Sequence, residues 1–321
     1  MTETAPRCCA ARRSEPEAAR VAVRPERGRG TRFRWVELPG GAFAMGTSGA
    51  EGFAADGEGP SRHVKVSAFS VSAYAVTNAQ FADFIRDTGY ETEAERFNWS
   101  YVFHLLVPPE IRARVPRAPA ETPWWLPVSH AYWAQPEGPA STVLDRMNHP
   151  VVHVSWNDAQ AFCAWSGTRL LTEAEWEFAA RGGLEGKRYP WGDELVPAGE
   201  HRCNIWQGEF PTANTAEDGY ASTAPVHAFP PNGFGLFNTA GNVWEWCADV
   251  FTPDYHCVTS GEDPFFAGPG KTRSMRGGSY LCHQSYCNRY RVAARSSNTP
   301  ESTSGNIGFR VAAGESPGGR A

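Results

Sequence analysis

Apolar and polar residues alternate along His63-Val-Lys-Val-Ser-Ala-Phe69 in the period of two that a half-buried strand requires. Phe33-Arg-Trp-Val36 and Ala42-Phe-Ala-Met-Gly46 predict two short strands around a Pro39-Gly-Gly41 turn. The period then lengthens. Phe81, Phe84 and Ile85 fall at i, i+3 and i+4 behind a Thr77 or Asn78 cap, with Gly89 as the stop, and so predict a helix. Two further helices carry capping boxes. Ser155-Trp-Asn-Asp158 opens one that continues through Ala159, Phe162 and Cys163 to Gly167. Thr172-Glu-Ala-Glu175 opens another that continues through Trp176, Ala179 and Ala180 to Gly182-Gly183. The carboxylates in these boxes read as helix caps rather than acid–base catalysts, and Cys163 reads as a small buried hydrophobe. Residues 96–150 hold no sustained period. Their Trp99, Trp124, Trp125 and Trp133, set among prolines, make the segment either surface packing or the wall of a binding site, with packing the simpler reading.

Composition adjusts this picture. With 32 Gly and 25 Pro in 321 residues, much of the backbone is expected to be irregular. A 41% apolar content and 12 Trp are enough for a sizeable aromatic core. The net charge of −5 gives no electrostatic reason to expect nucleic acid as a partner. No apolar run approaches the ~20 residues of a membrane helix, so no membrane partner is expected. Residues 1–32, rich in Ala, Arg, Glu and Pro, read as a disordered tail in which Cys8 and Cys9 are incidental. That stretch lacks the roughly 7–15-residue apolar core of a secretory signal, which points to the cytoplasm, where structural disulfides are rare. Folding is then expected to begin at Phe33, with residues 314–321 a flexible tail.

Two features carry candidate chemistry. In Gly277-Gly-Ser-Tyr-Leu-Cys282-His-Gln-Ser-Tyr-Cys287 two cysteines sit in a polar, aromatic and Arg-rich setting. On a straight helix they would point about 140° apart, and on a straight strand they would face opposite sides. A shared task therefore needs a bend between them, and the alternatives are a structural disulfide or two unrelated thiols. The second feature is a set of oxygen-rich loops: Asn204-Ile-Trp-Gln-Gly-Glu209, Thr215-Ala-Glu-Asp218-Gly-Tyr220 and Asn238-Thr-Ala-Gly-Asn-Val-Trp-Glu-Trp246. Such residues either make turns or wrap a hard cation such as Ca²⁺. The nine histidines are scattered without HxH or HExxH, so no histidine zinc site is expected.

Several stretches together extend the reading. They are Pro39-Gly-Gly-Ala-Phe-Ala-Met-Gly46, Val76-Thr-Asn78, His149-Pro-Val-Val-His-Val-Ser-Trp-Asn-Asp158, Arg169-Leu-Leu-Thr-Glu-Ala-Glu-Trp-Glu177, Asn232-Gly-Phe-Gly-Leu-Phe-Asn238 and Gly308-Phe-Arg310. With these, and with the cysteine stretch followed by Arg291, Ala293-Ala-Arg295 and Asn298-Thr-Pro300, residues 33–313 resemble the aerobic formylglycine-generating enzymes, or sulfatase-modifying factors. The resemblance implies a single compact α+β fold of that family, related to C-type lectins and low in regular secondary structure. It implies oxidation of a cysteine in a Cys-x-Pro-x-Arg segment of an unfolded sulfatase to Cα-formylglycine, with O₂, a thiol or other reductant, and Cu(I). Cys282 and Cys287 would be the copper ligands, helped by nearby cations such as Arg291 or Arg295. Ser279, Tyr286 and Trp244 match positions lining the reaction pocket. Ser279 would hydrogen-bond near the oxygen site, Trp244 would shape it, and Tyr286 would serve a proton or hydrogen bond.

Two structural Ca²⁺ sites also follow from the resemblance. One comprises Asn204, Ile205, Asp218 and Tyr220, and the other Asn238, Gly241, Val243 and Glu245. Secretory members of the family staple the fold with extra cysteines, where this chain has Ala180, Val292 and Val311, leaving Cys163 without a partner at Val311. That departure agrees with a bacterial-type, cytoplasmic enzyme, expected to be a monomer. Three other readings compete. A non-catalytic peptide- or protein-binding module on the same scaffold would leave the cysteine pair dispensable. An iron-dependent sulfoxide synthase would need a helical domain with a histidine-rich motif. Thiol–disulfide exchange would turn over dithiols without metal or O₂.

Overall fold

The computed structural model describes residues 11–13, 31–115 and 118–314. The first strands are β1 (Trp35–Leu38), β2 (Gly41–Met45), β3 (Arg62–Val66) and β4 (Phe69–Ser72). The alternating run from His63 to Phe69 is thus two strands rather than one. The Asp263 carboxylate accepts the Ser67 N–H at 2.6 Å and its hydroxyl at 2.7 Å, and turns the chain between β3 and β4.

Helix α1 (Asn78–Thr88) lies where the period predicts it, capped by Thr77 and stopped by Gly89 at φ +62°. After it come α2 (Glu93–Phe97), β5 (Trp99–Phe103), α3 (Pro109–Arg112) and β6 (Trp125–Ser129). The segment read as irregular therefore contains a strand pair, β5 with β6, in which Val102 faces Leu126. Next are α4 (Trp156–Ser166), β7 (Thr168–Leu170) and α5 (Glu173–Arg181). Asp158 and Glu175 close the capping boxes of α4 and α5, as their spacing requires. The rest comprises β8 (Gly208–Glu209), β9 (Ala213–Asn214), β10 (Trp244–Val250), α6 (Tyr255–Val258), β11 (Arg273–Arg276), β12 (Ser296–Asn298), β13 (Ile307–Phe309) and β14 (Val311–Ala313).

Two four-stranded sheets organise these elements, one in the order β1-β4-β14-β7 and the other β12-β11-β10-β13. Strand β10 is buried at every position and pairs antiparallel with β11 and parallel with β13. Cys163 and Val311 share one core cluster, and Ala180 and Val292 share another. Burial pushes the Cys163 thiol up to about 12, which keeps it protonated and inert.

The disordered-tail reading of residues 1–32 falls mostly on 1–10 and 14–30, outside the described residues, as does 315–321 of the C-terminal tail. Ala11–Arg13 of that stretch lie against the domain. Ala11 and Arg13 are buried because their polar groups find partners on the domain, among them Asn298, Ser302 and Thr303.

Candidate active site

The chain leaves β11 through Gly277 and Gly278 at φ +95° and +73°. A Cβ at Gly278 would lie 2.9 Å from the Arg289 carbonyl oxygen, so the backbone passes here only without a side chain. The Cys282 N–H then donates to the Ser279 carbonyl at 2.9 Å, and the Cys287 N–H to the His283 carbonyl at 2.7 Å. This last bond closes one isolated helical turn and supplies the bend that the five-residue spacing demands. The two Sγ atoms meet at 3.2 Å, both cysteines are fully buried, and neither is in a disulfide. A disulfide would hold them at about 2.05 Å.

Around the thiols the loop is tied at several points. Trp206 N–H donates to the Cys282 carbonyl at 3.1 Å, and Ser279 N–H points at Cys282 Sγ at 3.4 Å. Ser279 Oγ accepts a hydrogen bond of 3.0 Å from Asn306 Nδ2, while the Asn306 carbonyl accepts the Trp244 N–H at 2.9 Å. Asn306 thus links two of the predicted residues to each other, although nothing in its sequence context marked it. Trp244 is buried, and its indole N–H has no acceptor among the described residues. Tyr286 is half-buried. Its ring stacks on Phe210 at 4.6 Å and meets Trp124 edge-on at 5.0 Å. Part of the Trp-rich segment therefore does form a wall, through Trp124, while Trp125 is core.

The arginines around the cysteine stretch are paired with carboxylates. Arg291 makes a bidentate pair with Glu58 at 2.6 and 2.8 Å, and Arg295 holds Glu173 at 2.7 and 2.8 Å. Arg276, at the end of β11, bonds Glu177, and Arg289 bonds Asp56 at 2.5 Å. Each cation is matched by a carboxylate, so Arg291 and Arg295 tie their segment to Glu58 and Glu173. Burial raises the Asp56 carboxyl against the pull of Arg289, and Cys287 is near enough to push it the same way.

The oxygen-rich loops fold against each other. Asn242 N–H donates to the Asn204 carbonyl at 2.8 Å, and Asn242 Oδ1 accepts from Asn204 Nδ2 at 3.2 Å. A Cβ on Gly241 would sit 2.3 Å from the Asn204 carbonyl oxygen, which explains glycine there. Asp218 accepts the N–H groups of Ile205 and Tyr220, each at 2.9 Å, and burial raises its carboxyl against the pull of Gln207 and these N–H groups. The Ile205 carbonyl accepts Gln207 Nε2. In the other loop Asn238, Val243 and Glu245 line a small cavity, with Glu245 also bonded to Arg310 at 2.9 Å and to Trp176 Nε1 at 2.7 Å. The side-chain oxygens of Asn204 and Asn238 are buried without a hydrogen-bond partner among the described residues. A buried amide oxygen without a donor fits a cation ligand.

The chain is similar to known proteins over most of its length. The sulfatase-modifying factor enzyme 1-like domain matches residues 21–314. A formylglycine-generating enzyme of Streptomyces coelicolor is 60% identical over 292 residues, 91% of this chain and 91% of that protein. A Bos taurus protein named inactive C-alpha-formylglycine-generating enzyme 2 is 47% identical over 292 residues, covering 90% and 91%. Among solved structures, PvdO from Pseudomonas aeruginosa superposes with a TM-score of 0.63 at 25% identity, covering 87% of this chain and 93% of that one. The chain belongs to the sulfatase-modifying factor enzyme 1-like family and has the single-domain α+β fold of the formylglycine-generating enzymes.

Proposed function

We propose that this protein oxidises the cysteine of a Cys-x-Pro-x-Arg segment in an unfolded sulfatase to Cα-formylglycine, using O₂ and Cu(I). The observation that carries the reading is the pair of buried, unbridged thiols 3.2 Å apart at the end of a shaped loop. Family membership alone is not enough, since a 47%-identical relative is named inactive. A redox-active dithiol would share the pair, but the scaffold of this family and the aromatic wall beside it favour a peptide substrate.

The donor set suits the metal. Two thiolates are soft ligands that select Cu(I), and among the described residues no group of three or more His, Cys, Asp or Glu is placed to hold an ion. Cys282 and Cys287 would hold the copper, and the substrate thiolate would complete the ligand set. Bound copper supplies the one-electron chemistry that lets O₂ react. Chain residues do the rest. Asn306 fixes the Ser279 hydroxyl beside the thiols, where it can donate to an oxygen species. Trp244 and Trp206 fill the space behind it and exclude water. Tyr286, held on Phe210 and Trp124, presents its hydroxyl for a proton. The reaction balances when the substrate CH₂–SH, O₂, two electrons from a reductant and two protons give the aldehyde, H₂S and water. Apolar residues at Ala180, Val292 and Val311 support a reducing, cytoplasmic setting for a monomer.

Copper-loaded protein given O₂, a reductant and a Cys-x-Pro-x-Arg peptide should release product with the mass of thiol-to-aldehyde exchange. Absence of conversion under those conditions refutes the reading. Asn306→Ala should lower the rate by about 10–100-fold, as loss of an outer hydrogen-bond partner does, in a protein that stays folded at a cost of about 1–3 kcal/mol. A rate within twofold of the parent would show that Ser279 needs no such support.

The calcium reading rests on the two unpartnered amide oxygens of Asn204 and Asn238. Asn204, Asp218 and the carbonyls of Ile205 and Tyr220 would hold one ion, and Asn238, Glu245 and the carbonyls of Gly241 and Val243 the other. Ca²⁺ at 100 times its dissociation constant should stabilise the fold by about 2.7 kcal/mol per site. Melting curves in Ca²⁺ and in chelator check this, and superimposable curves would rule the sites out.

A further inference from the structure

Asn306 bonds Ser279 beside the thiols, and its own side chain is held by Ser304. All three residues are fully buried. The turn that carries Ser304 and Asn306 lies between β12 and β13, and its backbone is tied on several sides. The Ser304 carbonyl accepts the His153 N–H at 3.0 Å, and the Gly305 N–H donates to the Tyr101 carbonyl at 3.0 Å. The Gly305 carbonyl accepts the Tyr280 hydroxyl at 3.2 Å, and the Asn306 carbonyl accepts the Trp244 backbone N–H at 2.9 Å. From this fixed turn the Ser304 hydroxyl reaches Asn306 Oδ1 at 2.7 Å.

An asparagine amide can point either way, and here two distances tell its ends apart. Hydroxyl-to-oxygen bonds centre on about 2.7–2.8 Å and N–H-to-oxygen bonds on about 2.9–3.0 Å. Ser304 Oγ lies 2.7 Å from one end of the amide, and Ser279 Oγ lies 3.0 Å from the other. The short contact is thus a hydroxyl donating to Oδ1, and the longer one is Nδ2 donating to Ser279. The opposite orientation would put a short N–H bond at Ser304 and a long O–H bond at Ser279.

That polarity decides what Ser279 can do. A serine hydroxyl has one proton and two lone pairs. Asn306 Nδ2 faces its oxygen at 3.0 Å and the Leu281 N–H faces it at 3.4 Å, so both lone pairs meet donors. Among the described residues none accepts its proton. The proton is left for a ligand that reaches the thiols. An amide turned the other way would take that proton itself.

We propose that Ser304 is a positioning residue: by donating to Asn306 Oδ1 it sets the amide so that Ser279 keeps a hydrogen-bond donor for the thiol site. Its part in catalysis rests on the function proposed above; the orientation of the amide does not. Ser304 acts through Asn306 alone. Removing its hydroxyl leaves Oδ1 without that donor and lets the amide turn and take the Ser279 proton.

The test is a double-variant cycle on kcat, with copper-loaded protein and a Cys-x-Pro-x-Arg peptide. Ser304→Ala should lower kcat by about tenfold, the low end of the loss for an outer-shell partner, with KM and Cu(I) stoichiometry unchanged. Ser304→Ala combined with Asn306→Ala should be no slower than Asn306→Ala alone, because the first change works only through the second residue. A parent-like kcat in Ser304→Ala, a change confined to KM, or losses that multiply in the double variant overturn the proposal. Should Ser304→Ala fail to fold, Ser304→Cys, which keeps a side chain there but only a weak donor, should lose kcat in the same way and is judged by the same outcomes. A second readout needs no copper. In metal-free protein the Asn306 side-chain amide resonance, assigned by its absence from Asn306→Ala, should shift in Ser304→Ala, and an unmoved resonance overturns the proposal. Failure of the proposed function reads differently: the resonance shifts, yet the copper-loaded parent never converts the peptide.

Discussion

Cys282→Ser and Cys287→Ser should each abolish conversion of a Cys-x-Pro-x-Arg peptide while the protein stays folded. Removing an outer-shell partner of a metal site costs about 10–100-fold, and replacing a ligand itself should exceed that, since a hydroxyl is a poor donor to Cu(I). Both thiols are fully buried and 3.2 Å apart, so neither can substitute for the other. The double variant should be no slower than either single one, because the two sulfurs act as a unit. Cu(I) stoichiometry, read by competition with a chromophoric chelator, should fall from about one to near zero in each variant. Retention of full activity by either variant would remove that residue from the ligand set. The fold tolerates the change because serine occupies nearly the same volume and buries only one extra hydroxyl, at a cost of roughly 1–3 kcal/mol.

Glu177→Ala should be the most damaging single change away from the thiols. Glu177 accepts the Gly46 N–H at 2.7 Å and two bonds from Arg181, and its other oxygen takes Arg276. Without it the buried Arg181 guanidinium loses its counter-charge and Arg276 keeps only Glu173, at 3.6 Å, which costs about 3–5 kcal/mol. Urea unfolding monitored by tryptophan fluorescence measures this, and a midpoint like that of the parent would contradict it. Activity should fall as well, because Arg276 ends the strand that feeds the Gly277–Cys287 loop.

Glu177 also shapes the response to acid. Burial pushes its carboxyl up, but Arg181, Arg276 and the Gly46 N–H outweigh burial and hold it below its ordinary value of 4.5. A depressed carboxylate contributes stability that is present above its unfolded pKa and is lost as pH falls through the folded one. The parent should therefore lose stability more steeply below pH 4.5 than the variant does.

The helices were legible because their signals are local. Thr77, Ser155 and Thr172 each bond a backbone group three positions on, and Gly89, Gly167 and Gly182 stop the helices in the left-handed conformation. The division of His63–Phe69 into two strands was not legible, since it depends on Asp263, far along the chain. The same limit applies at the site. That the cysteines need a bend could be read from their spacing, but the arginines near them could not be told apart as activators or anchors. Their carboxylate partners Asp56, Glu58, Glu173 and Glu177 lie about a hundred positions or more away in the chain. Asn306 was missed for the same reason: its partners are Ser279 and Trp244, on other strands and loops.

The sequence by itself determined the boundaries of α1, α4 and α5, the cysteine pair with its required bend and, through shared motifs, the family with its α+β class. Periodicity, capping and motif spacing act over a few residues, and a few residues are enough to express them. Only the tertiary structure decided that the two sulfurs meet, that Arg291 and Arg295 are already neutralised, and that Arg13 is docked rather than free. Those outcomes depend on which distant groups share a buried, low-dielectric space, where an unpaired charge costs several kcal/mol, of order the whole stability of a domain.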